Sequence, residues 1–317
     1  MNKTEYVIMF PGQGSQHIGM GQDAYKNSEI VKYIYETAES IVNFPLKKYM
    51  FEGPEEKLKQ TNITQPCLLT SNISLYETLM HKVSDEPSYI CGHSAGEYAA
   101  LYAAGVLSLE DSLKLIMHRG KLMHLATKGS MLAVLNATDE EVTMLCEKSL
   151  VTGGTLSPAN WNSKHQTVIS GDIHSIEKAL DLAFEMDITV IPLSVSGAFH
   201  SNLMSSVVSQ FSEYVEEVEF KSSKIPIIPN VTAQPMENSE TWESLILKQL
   251  VSPVKWKQTI KYLYEKGIRT FVEVGPGNVL SKLVSKDYPD VSVLNVNDIN
   301  TANNAALFLN EKKFQIS

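Results

Sequence analysis

Apolar and polar positions along the chain fall into two alternating rhythms, one of short buried runs and one of helical spacing. Tyr6 to Phe10 is a short apolar run that stops at Pro11-Gly12-Gln13-Gly14-Ser15-Gln16, the pattern of a buried strand feeding a tight glycine loop. Helices are predicted over about Val31–Phe44 and Leu68–Val83, and a brief strand over Pro87–Cys91. From Gly96 a small-residue helix is predicted through Ala99, Ala100, Ala103 and Ala104. A further helix is predicted over Ser108–Leu125, where Leu113, Ile116, Leu122 and Leu125 keep roughly helical spacing. Ser108 suits its N-cap, and Glu110 and Asp111 complement the positive end of its dipole.

Between about Gly129 and Val195 the rhythm shortens. Strands at Met131–Leu135, Gln166–Ser170 and Thr189–Leu193 alternate with helices at Asp139–Leu150 and Ser175–Met186. So compact an alternation predicts a small α+β insert of ferredoxin-like type. Beyond it, helices are predicted near Leu203–Val218, Thr241–Leu250 and Lys257–Lys266, with a loop around Pro226 and Pro229. An apolar strand at Thr270–Val274 ends at Gly275-Pro276-Gly277, and Asn295–Asn304 reads as a surface loop before a last short helix.

Composition narrows the class. At 317 residues, with 43% hydrophobic and 20% charged residues, the chain can bury a real core and carry a large domain with a smaller one. A formal net charge of -9 argues against nucleic acid as a partner, since no basic excess is present to neutralise phosphates. An anionic substrate would need a local positive group rather than the global field. Cys67, Cys91 and Cys146 form no C-x-x-C pair, so they read as buried packing residues in a reducing compartment rather than as a zinc site or disulfide framework. The first residues lack the apolar core of a signal peptide, and no apolar run approaches the ~20 residues of a membrane span. A cytoplasmic protein without a membrane partner is expected.

The pattern with most chemical content is Gly92-His93-Ser94-Ala95-Gly96. A serine flanked by glycines two positions away on each side, after an apolar strand and before a helix, fits a nucleophile elbow. Such a turn exposes the hydroxyl at a helix N-terminus, whose N–H groups favour a developing oxyanion. The pentapeptide alone also allows a purely structural glycine turn. A nucleophilic serine needs a base, and His200, in Ser196-Gly197-Ala198-Phe199-His200-Ser201, is a candidate in a loop opening a helix. His17, His81, His165 and His174 lie in polar stretches, His118 and His124 lie on a helix, and His93 adjoins the serine on a sharp turn.

Several ordered motifs resemble the malonyl-CoA:acyl-carrier-protein transacylase family, including the stand-alone acyltransferases that serve polyketide synthases. The resemblance is carried by the Pro11–Gln16 loop, Thr64-Gln65-Pro66, Gly92-His93-Ser94-Ala95-Gly96-Glu97-Tyr98 and Arg119-Gly120-Lys121-Leu122-Met123. It continues through Asn160-Trp161-Asn162-Ser163, Gly197-Ala198-Phe199-His200-Ser201, Gln249, Pro253-Val254-Lys255-Trp256 and Glu273-Val274-Gly275-Pro276-Gly277. It implies an α/β fold: a hydrolase-like core with a parallel sheet over 1–127 and 197–317, and an inserted ferredoxin-like α+β subdomain over 128–196.

The resemblance also implies the site. Ser94 is the expected nucleophile and His200 its general base, oriented by the main-chain carbonyl of Gln249. The N–H groups of Gln13 and Ala95 form the expected oxyanion hole. Arg119 is expected to grip the carboxylate of a malonyl group through paired charge-assisted hydrogen bonds. His93, Phe199, Asn160 and Asn162 are the further expected substrate-binding residues; the two asparagines read either as contacts to the pantetheine arm or as structural turn asparagines. The implied reaction moves a malonyl group from coenzyme A to the phosphopantetheine thiol of an acyl carrier protein, by ping-pong chemistry through acyl-Ser94. Coenzyme A enters as a substrate thioester, no metal or other cofactor is implied, and a monomer is expected.

Two departures bear on the substrate. Ala95 stands where many relatives carry leucine, which leaves space for a substituted malonyl unit, and Trp161 stands where phenylalanine or tyrosine is expected. Phe199, in the Gly197–His200 segment, follows the malonyl-selective form. The same scaffold also serves proofreading hydrolases that clear acyl chains from carrier proteins, and a catalytically silent carrier-binding module is a third reading. Arg119 disfavours a hydrolase of neutral acyl chains, and an intact Ser94 and His200 disfavours a silent module.

Overall fold

A computed structural model describes residues 5–126, 128–195, 197–236 and 240–315. Ser196 of the histidine segment, and the domain limits expected at 1, 127, 196 and 317, lie outside the described residues. The strands among them are, in chain order, β1 (Val7–Phe10), β2 (Tyr89–Gly92), β3 (Ser130–Leu135), β4 (Leu156–Ser163), β5 (Gln166–Gly171), β6 (Thr189–Pro192), β7 (Ile227–Ile228), β8 (Thr270–Val274) and β9 (Ser292–Val296). The chain divides into two compact units. One comprises Met1–Gly120, Glu219–Pro229 and Leu263–Ser317, the other Lys121–Val218 and Asn230–Tyr262.

The first unit is built on a five-stranded sheet ordered β7-β2-β1-β8-β9, with every neighbouring pair parallel. β1, the central strand, is apolar throughout and buried throughout, as a strand covered on both faces should be. Tyr6, Ile8, Phe10, Phe271 and Val272 lie in this core. The helix Thr61–Met80 is buried almost all round and starts seven residues before the predicted Leu68. Pro66 sits inside it, and Thr70 Oγ1 donates to the Pro66 carbonyl at 2.8 Å. Ser108 caps the Leu109–Leu125 helix as predicted, its hydroxyl accepting from the Asp111 N–H at 3.0 Å.

The end of this unit differs from the sequence reading. Asn295–Asn304 is no surface loop: Asn295 belongs to strand β9, and a seventeen-residue helix, Ile299–Gln315, follows. Ala302, Ala305, Ala306 and Leu309 give that helix a buried stripe. The asparagines hid it, since they favour turns on local propensity while packing decides here. A helix at Val279–Asp287 and the two-residue strand β7 were also absent from the prediction. β7 lies between Pro226 and Pro229 and pairs with β2 through Ile227 and Ile228, with the Pro226 carbonyl accepting from the Ile90 N–H at 2.9 Å.

The second unit contains a four-stranded antiparallel sheet ordered β4-β5-β3-β6. With the helices Asp139–Ser149 and Ile173–Glu185 in the sequence βαββαβ, this is a ferredoxin-like arrangement. Leu132, Val134, Val142, Leu145, Ile169 and Ile176 are in its core. Strand β4 was not predicted. Its pairing slips by one residue between Pro158 and Asn160 and again between Trp161 and Ser163. Two such irregularities destroy the period-two alternation by which a strand is recognised. The unit is also wider than 128–196, because Val254 exchanges main-chain hydrogen bonds with Ala159 (2.8 Å) and Trp161 (2.9 Å) and so joins its segment to β4.

All three cysteines are buried and free, as the sequence implied. Among the described residues no helix is long and apolar enough to cross a membrane.

Candidate active site

In the first unit the parallel register of β1 and β2 brings the Pro11–Gln16 loop and the Gly92–Gly96 turn to one edge of the sheet. That edge lies at the carboxyl ends of the strands, where open α/β sheets place their ligands. The two segments are tied by the His93 N–H, which donates to the Phe10 carbonyl at 2.9 Å, while the His93 carbonyl accepts from Gly96 at 2.9 Å. The glycines are required for space. A Cβ on Gly92 would collide with the main chain of Gly96, and one on Gly96 with the main chain of Phe10.

Ser94 sits at the apex with φ of 50°, in the left-handed region. For a residue with a Cβ this costs about 1–2 kcal/mol, and such strain collects at functional turns. The helix Gly96–Ala103 begins two residues later, with Ala95 at its N-cap position. The sequence pattern of a strained serine between strand and helix is therefore present in three dimensions.

Arg119 is wholly buried, at 0% exposure. Its Nη1 donates to Gln65 Oε1 at 2.8 Å and its Nη2 to Ser94 Oγ at 3.2 Å. The guanidinium lies 5.6 Å from the centre of the Tyr98 ring, a cation–π distance. Burial pulls the Arg119 pKa below its ordinary value, while Tyr98 and Glu97 act in the opposite sense. Gly120, next in the chain, allows this helix to lie close on the Thr61–Met80 helix. A Cβ there would meet the Thr61 carbonyl at 3.1 Å and Gln65 Cβ at 3.4 Å. Gln13, half-buried in the glycine loop, donates its side-chain amide to Thr61 Oγ1 at 3.3 Å.

In the second unit His200 is buried at 3% exposure and also adopts a positive φ, 57°. Its Nδ1 lies 2.8 Å from the main-chain carbonyl of Gln249. A carbonyl can only accept, so Nδ1 carries the proton and Nε2 is the acceptor nitrogen, the tautomer a general base requires. The neighbouring Ser201 donates to the Ala198 carbonyl at 2.7 Å and accepts from the Leu203 N–H at 3.3 Å, which closes the turn around the histidine. Gln249 is itself buried, and its side chain reaches Asn230 Oδ1 at 3.5 Å.

The remaining predicted residues lie as follows. Phe199 is buried beside His200 in sequence. Asn160 is buried on β4 and bridged to Val254. Asn162 donates its amide to Gln166 Oε1 at 2.9 Å across the β4–β5 hairpin, which is a use within the insert itself. Trp161, between them, lies under Lys257, whose ammonium is 5.3 Å from its ring centre and is also paired with Asp139 at 2.5 Å.

Thr61 and Gln65, which contact Gln13 and Arg119 directly, carry no role in the sequence reading. Gln65 stood in a quoted motif, but nothing local marks it as the partner of an arginine 54 positions away.

Comparison with known proteins identifies the relatives of this chain. Residues 7–313 match the family described as an acyl transferase domain. A malonyl CoA-acyl carrier protein transacylase of Staphylococcus aureus is 38% identical over 300 residues, covering 93% of this chain and 96% of the relative. The solved malonyl CoA-acyl carrier protein transacylase of Coxiella burnetii superposes with a TM-score of 0.93 at 33% identity, covering 97% of this chain and 98% of that one. A third structure, a malonyl-transacylase in complex with a type II polyketide synthase acyl-carrier protein, has a TM-score of 0.91 at 32% identity, with coverage of 95% and 99%. The family match over residues 7–313 defines an acyltransferase. This chain belongs to the malonyl CoA-acyl carrier protein transacylase family.

Proposed function

We propose that this protein transfers a malonyl group from coenzyme A to the phosphopantetheine thiol of an acyl carrier protein, through an acyl-Ser94 intermediate. The names of its relatives supply the class of donor and acceptor. The observation that carries the reading in this chain is the fully buried Arg119, 3.2 Å from Ser94 Oγ. A guanidinium held there has no use for a neutral acyl chain, but it matches the terminal carboxylate of a malonyl group loaded on the serine.

In the first half-reaction His200 Nε2 takes the proton of Ser94 Oγ, and the oxygen attacks the thioester carbon. Charge develops on the carbonyl oxygen and is met by the N–H groups of Gln13 and Ala95. The tetrahedral intermediate collapses, the C–S bond breaks, and the imidazolium returns its proton to the departing thiolate of coenzyme A. The Gln249 carbonyl holds Nδ1–H throughout, so the ring keeps its orientation as it gains and loses charge. In the second half-reaction the carrier thiol follows the same path in reverse. Arg119 holds the malonyl carboxylate in both halves, and no cofactor is called on.

The test is intact-mass analysis after mixing with malonyl-CoA or acetyl-CoA, followed by addition of holo-carrier protein. The expected result is a malonyl adduct on Ser94 that passes to the carrier thiol. Preferential acetyl loading, or release of the acyl group to water faster than to the carrier, would overturn the proposal.

A further inference from the structure

The Thr64-Gln65-Pro66 motif has no part in the reaction described above, yet one turn of its helix touches both ends of the serine site. Thr61 and Gln65 are four residues apart on the Thr61–Met80 helix and so share a face. Thr61 Oγ1 accepts from the side chain of Gln13, whose main chain belongs to the glycine loop. Gln65 Oε1 accepts from Arg119 Nη1 at 2.8 Å, while Nη2 of the same guanidinium points to Ser94. Both side chains are buried, at 2% and 1% exposure, so these contacts operate out of competition with solvent.

Two features keep that turn in place. Thr64 Oγ1 donates to the Leu58 carbonyl at 2.6 Å, which anchors the start of the helix. Gly120 lets the backbone carrying Arg119 approach within contact of Thr61, Asn62 and Gln65. An arginine side chain has several rotatable bonds, and burial alone does not choose among its rotamers. A second fixed acceptor on its far edge does.

We propose that Gln65 and Thr61 are positioning residues: Gln65 fixes the Arg119 guanidinium for recognition of the acyl carboxylate, and Thr61, one turn earlier, fixes Gln13 for the oxyanion. One helical turn thereby sets acyl selectivity and acylation rate through two separate contacts. The inference rests on the proposed roles of Arg119 and Gln13.

Single-turnover loading of the full-length protein, followed by intact mass with malonyl-CoA and with acetyl-CoA, tests it. Gln65→Leu removes the acceptor at similar volume, and the malonyl-to-acetyl loading ratio should fall roughly tenfold, the value of one hydrogen bond to a charged group. Gln65→Glu keeps an acceptor but adds a negative charge beside the carboxylate, so it should lower the same ratio while binding Arg119 still more firmly. Thr61→Val should slow loading from both thioesters by a common factor, and Thr61→Ser should restore the rate. Thermal melts identify any variant that fails to fold, and the other variant at that position then decides. An unchanged ratio in both Gln65 variants, or a Thr61→Val effect confined to one thioester, overturns the inference. Arg119→Ala separates it from the parent reading: if that change leaves the ratio intact, the carboxylate role itself fails; if it lowers the ratio while the Gln65 variants do not, only the positioning role fails.

Discussion

Arg119 Nη2 and Ser94 Oγ lie 3.2 Å apart, 25 positions apart in the chain, with the arginine at 0% exposure. A buried cation directed at a serine on a strained turn is an expensive arrangement, and a core could be built more stably without it. On the proposed function, the anionic acyl group beside the elbow offsets that cost.

Arg119→Ala should therefore lower malonyl loading by about 10²-fold, the loss expected for a paired charge-assisted contact, and should reduce acetyl loading much less. Arg119→Lys should remain well below wild type, because a single ammonium cannot reproduce the planar two-point grip. Rates of Ser94 acylation from the two thioesters check this. Equal losses with both donors would assign Arg119 to structure alone.

Ser94 has φ of 50° and bears a Cβ, so the elbow stores strain in the folded state. Ser94→Gly should remove the αL penalty, and the entropy of the more flexible unfolded glycine should offset part of the gain. Against Ser94→Ala, which loses the same hydroxyl contact with Arg119, the glycine variant is expected to be more stable by up to about 1 kcal/mol, and both lose all acyl label. A glycine variant less stable than Ser94→Ala on calorimetry would show that the turn is not strained.

His200 receives its orientation from a main-chain oxygen, so the side chain of Gln249 is not itself the orienting group. His200→Ala should cost about 10²–10⁴-fold in acyl transfer, the usual worth of a general base. Gln249→Leu should cost less than about tenfold, since the carbonyl survives the change. Single-turnover rates distinguish the two. A Gln249→Leu loss as large as that of His200→Ala would mean that the amide side chain, through Asn230, supports the histidine.

A pH signature is expected at Glu273, which is fully buried on β8. Its carboxylate oxygens accept from the N–H groups of Leu280 (3.1 Å) and Ser281 (2.7 Å). Burial pushes its pKa above the ordinary carboxylate value and outweighs those hydrogen bonds, which act downward. A carboxyl group raised in the folded state binds more protons when folded than unfolded. Its contribution to stability is therefore lost as pH rises from about 4.3, the unfolded value, through the higher folded one. The stability advantage of wild type over Glu273→Gln should shrink as pH rises through that window. Thermal melts across pH check this, and parallel curves would count against a raised Glu273.

Much of the fold was legible because local pattern and burial agree. β1 and β8 are apolar runs that end at glycines, and the helix Asp139–Ser149 starts at Thr138, whose hydroxyl and the Glu141 side chain cap each other's backbone. The elbow was legible for the same reason, since its chemistry is carried by five consecutive residues. Strand β4 was not, because two register slips erase its alternation. The Ile299–Gln315 helix was not, because its asparagines vote for turns while its buried alanines are supported only by packing.

The sequence by itself determined a glycine-flanked serine between strand and helix and the ferredoxin-like insert, and it offered His200 and Arg119 as candidates through the resemblance. Only the tertiary structure decided which partners those side chains meet. It placed Gln65 and Ser94 on Arg119, brought the Gln249 carbonyl, expected from the resemblance alone, to His200, and set both Ser94 and His200 at positive φ. The physical reason is separation along the chain. These contacts join residues 25 to 54 positions apart, and no local periodicity or propensity encodes which buried donor will meet which buried acceptor once the core has closed.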